Sequence, residues 1–396
     1  MVFALVLGIA VVATILLSAC GSGDDPRADP STGRAAVLAI VQRAASEAVA
    51  GGLVGVAVDH LGPDRTDAVV AGVRRAGAGD AIRATDFFQI GSTTKAMTAA
   101  VAARLVERGV IAWTTTLAEA LPELAEGMLP AYRGVTLEQL LDHRGGVAAF
   151  TDPSDGERFF SAIADAGIAT PDTPAARARI FAAWLLAQQP PKGVTPGRDF
   201  LYSNAGYALV AMMLEARAGQ PFIALFEAEL AKPLGLAVAW VRQDATLTEA
   251  PLGHDGVRGK IAAIAPLDVG MAAWLAVLAP SGGGLALPPE SYASWVRWHM
   301  KALQGQATPL PGGYLQRLRG LKAGEYALGW QGDDIEGRAV LAHTGEDRGY
   351  SSLVILDRQG RSASFAFTNT EAQGEDWVMA ALTQRLVDME RALPPK

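Results

Sequence analysis

The chain has 396 residues, of which 50% are hydrophobic and 19% charged, and its formal net charge is −7. That balance excludes a disordered chain and a basic nucleic-acid binder, and the length asks for two closely packed lobes rather than one simple core. A lone cysteine excludes an internal disulfide framework.

Residues Val2 to Ala19 form an apolar run without a charge, followed directly by Cys20 and the polar stretch Gly21-Ser22-Gly23-Asp24-Asp25-Pro26. The run alone suits an ordinary signal peptide or a short uncleaved membrane anchor. Leu17-Ser18-Ala19-Cys20 resembles the lipobox of bacterial lipoproteins, whose cysteine is diacylated when the signal peptide is removed. The resemblance implies a signal peptide over 1–19, lipidation at Cys20 and a flexible tether over 20–33. It also implies a cell-envelope location, on the periplasmic face of the outer membrane in a Gram-negative host.

Beyond the tether, Arg34 to Ala50 reads as a helix with Val37, Ile40 and Val41 on one face. Leu53–Asp59 and Asp67–Val73 read as a strand hairpin through Gly62-Pro63-Asp64. A helix is expected from Thr93 to Arg108, stopped at Gly109 and apolar almost all round, as a buried helix is. Further helices are expected over 137–143, 157–166, 174–188, 205–218, 221–230, 266–278 and 289–303. The last stretch returns to strands at Ala339–Thr344, Ser352–Leu356 and Arg361–Thr368, then a helix from Glu375 to Leu393. Strands at both ends with helices between predict one sheet built from both termini. The expected sheet lobe is 34–91 with 331–393, and an inserted helical lobe fills 92–330.

The strongest local signal is Gly91-Ser92-Thr93-Thr94-Lys95, where an apolar stretch meets the buried helix. A serine and a lysine three residues apart share a helical face, so an amine lies within reach of a hydroxyl that must lose a proton. Burial and the helix dipole both lower such a lysine's pKa. Two further motifs follow: Tyr202-Ser203-Asn204 after the turn Pro196-Gly197, and His343-Thr344-Gly345 closing an apolar strand.

In order and separation these three match the S-x-x-K, Y-x-N and [KH]-T-G motifs of the penicillin-recognising serine hydrolases. Phe88-Gln89-Ile90-Gly91, Leu140-Leu141-Asp142-His143, Pro233-Leu234-Gly235-Leu236, Leu328-Gly329-Trp330 and Gly349-Tyr350-Ser351-Ser352 also have counterparts there. The chain from Arg34 to Leu393 resembles the branch holding class C β-lactamases, D-alanyl-D-alanine carboxypeptidases and related esterases. The resemblance implies a β-lactamase/transpeptidase-like α/β (α+β) fold, an antiparallel sheet flanked by helices. It makes Ser92 the nucleophile, Lys95 the proton acceptor and Tyr202 a phenol able, beside a buried cation, to ionise below its free pKa of about 10 and act as general base. Asn204 is then offered to a substrate amide or to Lys95, and His343, Thr344 and Gly345 border the cleft. The backbone N–H groups of Ser92 and Glu346 form the oxyanion hole.

Two residues depart from that pattern. His343 stands where β-lactamases of this branch carry a lysine, and histidine brings a hydrogen bond more than a charge. Glu346 stands where relatives carry a smaller residue, and a carboxylate at the rim repels anionic substrates. His60, His143, His254 and His299 show no metal-ligand spacing, and no metal or other cofactor is implied. The reading is an acyl-enzyme hydrolase of amides or esters. A D-alanyl peptidase acting on peptidoglycan stem peptides, or a β-lactamase-related enzyme, stands beside a broad carboxylesterase. The alternative of another class is a non-hydrolytic protein that binds peptidoglycan or senses β-lactams.

Overall fold

The computed structural model describes residues 30–241, 247, 249–265, 269–372 and 376–393. The expected signal peptide, Cys20 and most of the expected tether fall outside them. The first helix, α1 (Pro30–Ala50), starts four residues before the expected Arg34 and takes in the end of the tether. It closes at Gly52 (φ +110°), where Leu53 N–H returns to the Ala48 carbonyl (3.2 Å). Leu53 therefore belongs to the helix end, and the first strand begins later than expected.

Seven strands form the main sheet. They are β1 (Gly55–Leu61), β2 (Thr66–Gly72), β3 (Tyr326–Ala327), β4 (Trp330–Ile335), β5 (Arg338–Asp347), β6 (Tyr350–Asp357) and β7 (Ala363–Thr368). Their order is β2-β1-β7-β6-β5-β4-β3, with every neighbour antiparallel. The expected closure of one sheet from both termini is met where β1 pairs β7, from Val56 opposite Thr368 to Leu61 opposite Ala363. Strand β5 runs three residues past the expected Thr344, because Gly345, Glu346 and Asp347 pair with Ser352, Ser351 and Tyr350. The hairpin closes through Arg348 (φ +44°) and Gly349 (φ +87°), two left-handed residues that suit a tight two-residue turn.

Every residue of β6 and β7 is buried, as expected of central strands covered on both faces. Period-two alternation sorts their side chains. Val56, Val58, Val340, Leu353, Ile355 and Ala366 face a core shared with α1 and the C-terminal helix Trp377–Ala392. Ala57, Leu61, Leu341, Val354, Phe365 and Phe367 face the larger core continuous with the helical lobe. There the helix Pro289–Leu303 crosses the sheet, and the Tyr292 ring meets Phe365 and Phe367 edge-on at 4.9 and 5.0 Å. Such pairs contribute about 0.5–1.5 kcal/mol each beyond their buried area. This helix and β3 belong with the sheet, so the expected lobe boundary at 330 cuts through elements that pack together.

In the helical lobe, α2 (Thr94–Glu107) is rich in alanine, lacks glycine and proline, and is buried on nearly every face. It packs against α3 (Asn204–Ala218) and α4 (Val269–Gly282), whose expected start at 266–268 lies outside the described residues. The expected helix 221–230 is broken into Phe222–Phe226, a π turn over Glu227–Ala231 and Lys232–Leu234. Helix 157–166 starts earlier, at Pro153, because Asp152 caps it through the Ser154 N–H (2.9 Å). Among the described residues no single helix is long and apolar enough to cross a membrane.

Candidate active site

Ser92 lies in a single 3-10 turn, Gly91–Thr93, that runs directly into α2. The turn is pinned against β5 by two glycines. A Cβ on Gly91 (φ +51°) would lie 2.5 Å from Glu346 N, and one on Gly345 would lie 2.1 Å from the Ile90 carbonyl and 2.9 Å from Ser92 N. Side chains at either position would push the strand off the nucleophile. Their absence brings the backbone amides of Ser92 and Glu346, the two expected oxyanion donors, to the same seam.

Lys95 is fully buried, one turn beyond Ser92. Its Nζ lies 2.9 Å from Ser92 Oγ, 2.7 Å from Asn204 Oδ1 and 2.6 Å from the Gly282 carbonyl. Burial pushes its pKa well below the ordinary lysine value, and only Asp347 opposes. A neutral amine has two N–H donors and one lone pair. The donors fit Asn204 and Gly282, which leaves the lone pair facing the Ser92 hydroxyl.

Asn204 is committed at both ends, since its Nδ2 donates to the Phe150 carbonyl (2.8 Å). The expected choice between a substrate amide and Lys95 is thus settled for the resting site in favour of Lys95. Phe150 holds a left-handed backbone (φ +51°), and its own N–H is fixed by Asp155 (2.7 Å).

Tyr202 is buried, with Lys95 Nζ 4.9 Å from its ring centre. Its phenol does not ionise more easily than a free tyrosine. Burial pushes the pKa up, and the bond to the Ser92 hydroxyl opposes only in part. The expectation of a lowered pKa rested on a cation beside the ring, and the burial that raises the phenol also takes the charge from Lys95.

His343 is buried and neutral: burial first, then Lys95, lowers its pKa to about 3. Its Nδ1–H donates to the Thr344 carbonyl (2.5 Å), and Nε2 accepts from the Tyr326 hydroxyl (3.1 Å). The cation that a lysine would place here is missing, as the sequence predicts. Thr344 is half-buried beside it, while the Glu346 side chain is exposed at the rim.

Sequence reasoning passed over Tyr326, the Gly282 and Phe150 carbonyls, and the role of His143. The first three carry no local signal, because a carbonyl acceptor and a distant tyrosine become neighbours only in the fold. His143 sits inside a motif that the sequence does flag. Among the described residues no group of three His, Cys, Asp or Glu side chains is disposed to hold a metal.

Ser92, a desolvated lysine amine and two backbone amides meet at a seam between the sheet and the helical lobe, the arrangement of a serine-hydrolase-like fold. The Beta-lactamase family model matches residues 35–389, and the chain belongs to that family. It is similar to penicillin-binding protein 4 of Amycolatopsis lactamdurans, 30% identical over 190 residues that cover 46% of this chain and 42% of that protein. The matches span half or less of the length of the curated relatives. The fold is shared with a D-stereospecific amidohydrolase from Streptomyces sp. (TM-score 0.64, 23% identity, 87% of this chain and 98% of that one). It is also shared with a β-lactamase/D-alanine carboxypeptidase from Pseudomonas syringae (TM-score 0.70, 16% identity, 91% and 100%).

Proposed function

We propose that this chain is a serine hydrolase that cleaves amides or esters through an acyl-enzyme at Ser92. The observation that carries the reading is the buried Lys95 amine, held by Asn204 and Gly282 with its lone pair toward Ser92 Oγ. Ser92 Oγ attacks the substrate carbonyl while its proton passes to Lys95 Nζ. The oxyanion that forms is met by the N–H groups of Ser92 and Glu346. Collapse breaks the bond to the leaving group, which takes the proton from Lys95 through the protonated Tyr202 phenol. Water then attacks the acyl carbon, Lys95 accepts its proton, and Ser92 Oγ leaves with a proton restored.

The neutral His343 and the carboxylate of Glu346 favour substrates without a negative charge beside the scissile bond. That places an amidase or carboxylesterase ahead of a carboxypeptidase acting on peptidoglycan stem peptides. Cys20 is proposed as a lipid anchor that places the enzyme at the cell envelope; palmitate incorporation lost in Cys20→Ser tests it. The activity is tested with purified protein on a neutral chromogenic ester. Turnover abolished in Ser92→Ala supports the hydrolase, and turnover kept in that variant removes it.

A further inference from the structure

His143 makes three contacts that converge on one residue. Its carbonyl accepts the Leu201 N–H (2.7 Å), and its Nδ1 accepts the Ser203 N–H (3.1 Å). Its ring lies against the Tyr202 ring, with centres 4.0 Å apart and planes 37° from parallel. The His143 ring thus holds the peptide N–H that follows Tyr202 and the face of the Tyr202 ring, while its backbone carbonyl, 59 positions from Tyr202, ties down Leu201 on the other side. Two bonds and a stack leave the phenol little freedom to swing from Ser92.

The residue is shaped for this task and little else. Its backbone is left-handed (φ +57°), a conformation that costs most residues but suits histidine and asparagine. Its ring is buried and enclosed by Tyr207 and Tyr326 as well as Tyr202. Nδ1 serves as an acceptor only while the ring is neutral. Burial, which pushes its pKa well below the ordinary histidine value, keeps it so. Nε2 has no hydrogen-bond partner among the described residues, so the ring does not relay protons onward. A purely space-filling residue would have no need of a left-handed histidine.

We propose that His143 is a positioning residue, which sets the aim of the Tyr202 phenol at Ser92 by stacking on its ring and holding the Ser203 N–H that follows it. The proposal rests on the hydrolase reading above. A misplacement of about 1 Å in a reacting group costs on the order of 100-fold in rate. Ser203 adds a second restraint, since its hydroxyl donates to Ala148 O (2.7 Å) and accepts the Gly206 N–H (2.9 Å). That restraint does not touch the Tyr202 ring, and the Leu201 bond to the backbone carbonyl at 143 persists in any substitution there, so what a variant loses is the ring stack and the Nδ1 acceptor.

Three variants separate the contributions. His143→Asn keeps an acceptor at the δ position and tolerates the left-handed backbone. His143→Phe keeps a ring and loses the acceptor, and His143→Ala loses both. Steady-state kinetics on the neutral chromogenic ester, with thermal midpoints of each variant, provide the readout. The expected result is a fall in kcat of roughly 10- to 100-fold in the Phe and Ala variants. KM should stay within about twofold, and kcat in the Asn variant should recover to within about fivefold of wild type, because it keeps the hydrogen bond. Equal kcat in the Asn and Ala variants at matched thermal midpoints overturns the clamp, as does wild-type kcat in the Phe variant. If the Phe variant fails to fold, the Asn and Ala pair still decides. A wild-type protein inert to the ester and to a fluorophosphonate removes the hydrolase reading and the clamp with it. Failure of the clamp alone leaves wild-type turnover intact.

Discussion

Lys95 and Asn204 lie 109 residues apart in the chain and meet at 2.7 Å between Nζ and Oδ1. A neutral amide facing the amine accepts its N–H without stabilising the charged form as a carboxylate would. Replacing Asn204 with Asp puts an anion at that contact and raises the Lys95 pKa. The base form is then populated only at higher pH. In wild type, kcat/KM should rise with pH through the lowered Lys95 pKa and level off well below the ordinary lysine range. Asn204→Asp should move that limb to higher pH and lower activity at pH 7, with recovery in alkaline buffer. An unmoved limb in the pH profile would separate Asn204 from the base.

In the proposed mechanism Tyr202 acts as a donor rather than as a phenolate, because burial raises its pKa. Tyr202→Phe should therefore lower kcat by about 10²–10⁴-fold, the range for positioned proton transfer. The pH limb belongs to Lys95 and should stay where it is. A limb that disappears in Tyr202→Phe would return the base role to the phenol.

Much of this site is legible in the sequence, and the legible part is local. The three-residue spacing of Ser92 and Lys95 on one turn dictates their contact, and the apolar helix around Lys95 dictates its burial. The expected lowering of the Tyr202 pKa takes Lys95 as a cation, whereas the same burial that lowers the lysine's pKa removes that charge and raises the phenol's. His143 was visible only as part of the Leu140–His143 landmark. Its clamp depends on a left-handed backbone and on a strand of contacts to 201–203, neither of which has a periodicity. The fold follows the same division. The buried strands β6 and β7 announce themselves by composition, whereas the short helices Leu117–Ala120 and Pro130–Arg133 are too brief for a helical period. The two-residue strand β3 is set wholly by its pairing with β4.

Glu346 is exposed next to the oxyanion seam and should act on charged substrates through space. Glu346→Gln should raise kcat/KM for an anionic cephalosporin by roughly three- to tenfold relative to a neutral ester, as expected for one charge a few ångströms away in water. The gain should shrink in high salt. Equal change on both substrates would show that the side chain does not select by charge.

Asp59 on β1 is buried, its Oδ2 has no hydrogen-bond partner among the described residues, and burial raises its pKa to about 8. It is protonated at neutral pH in the folded chain and ionised in the unfolded one. A raised carboxyl pKa favours folding most below the unfolded value of about 4, and that contribution is lost as pH rises toward 8. Asp59→Asn cannot ionise, so its stability relative to wild type should increase steadily between pH 5 and 8. The slope is at most about 1.4 kcal/mol per pH unit. Parallel denaturation midpoints for the two proteins across that range would contradict the buried, unpaired acid.

The central claim is that Ser92 carries the acyl group, and peptide mapping after labelling with a fluorophosphonate tests it most directly. The prediction is a single adduct on Ser92, formed far more slowly in Lys95→Ala, where the hydroxyl has lost its proton acceptor. An adduct mapped to any other residue, or equal labelling rates in wild type and Lys95→Ala, would contradict it.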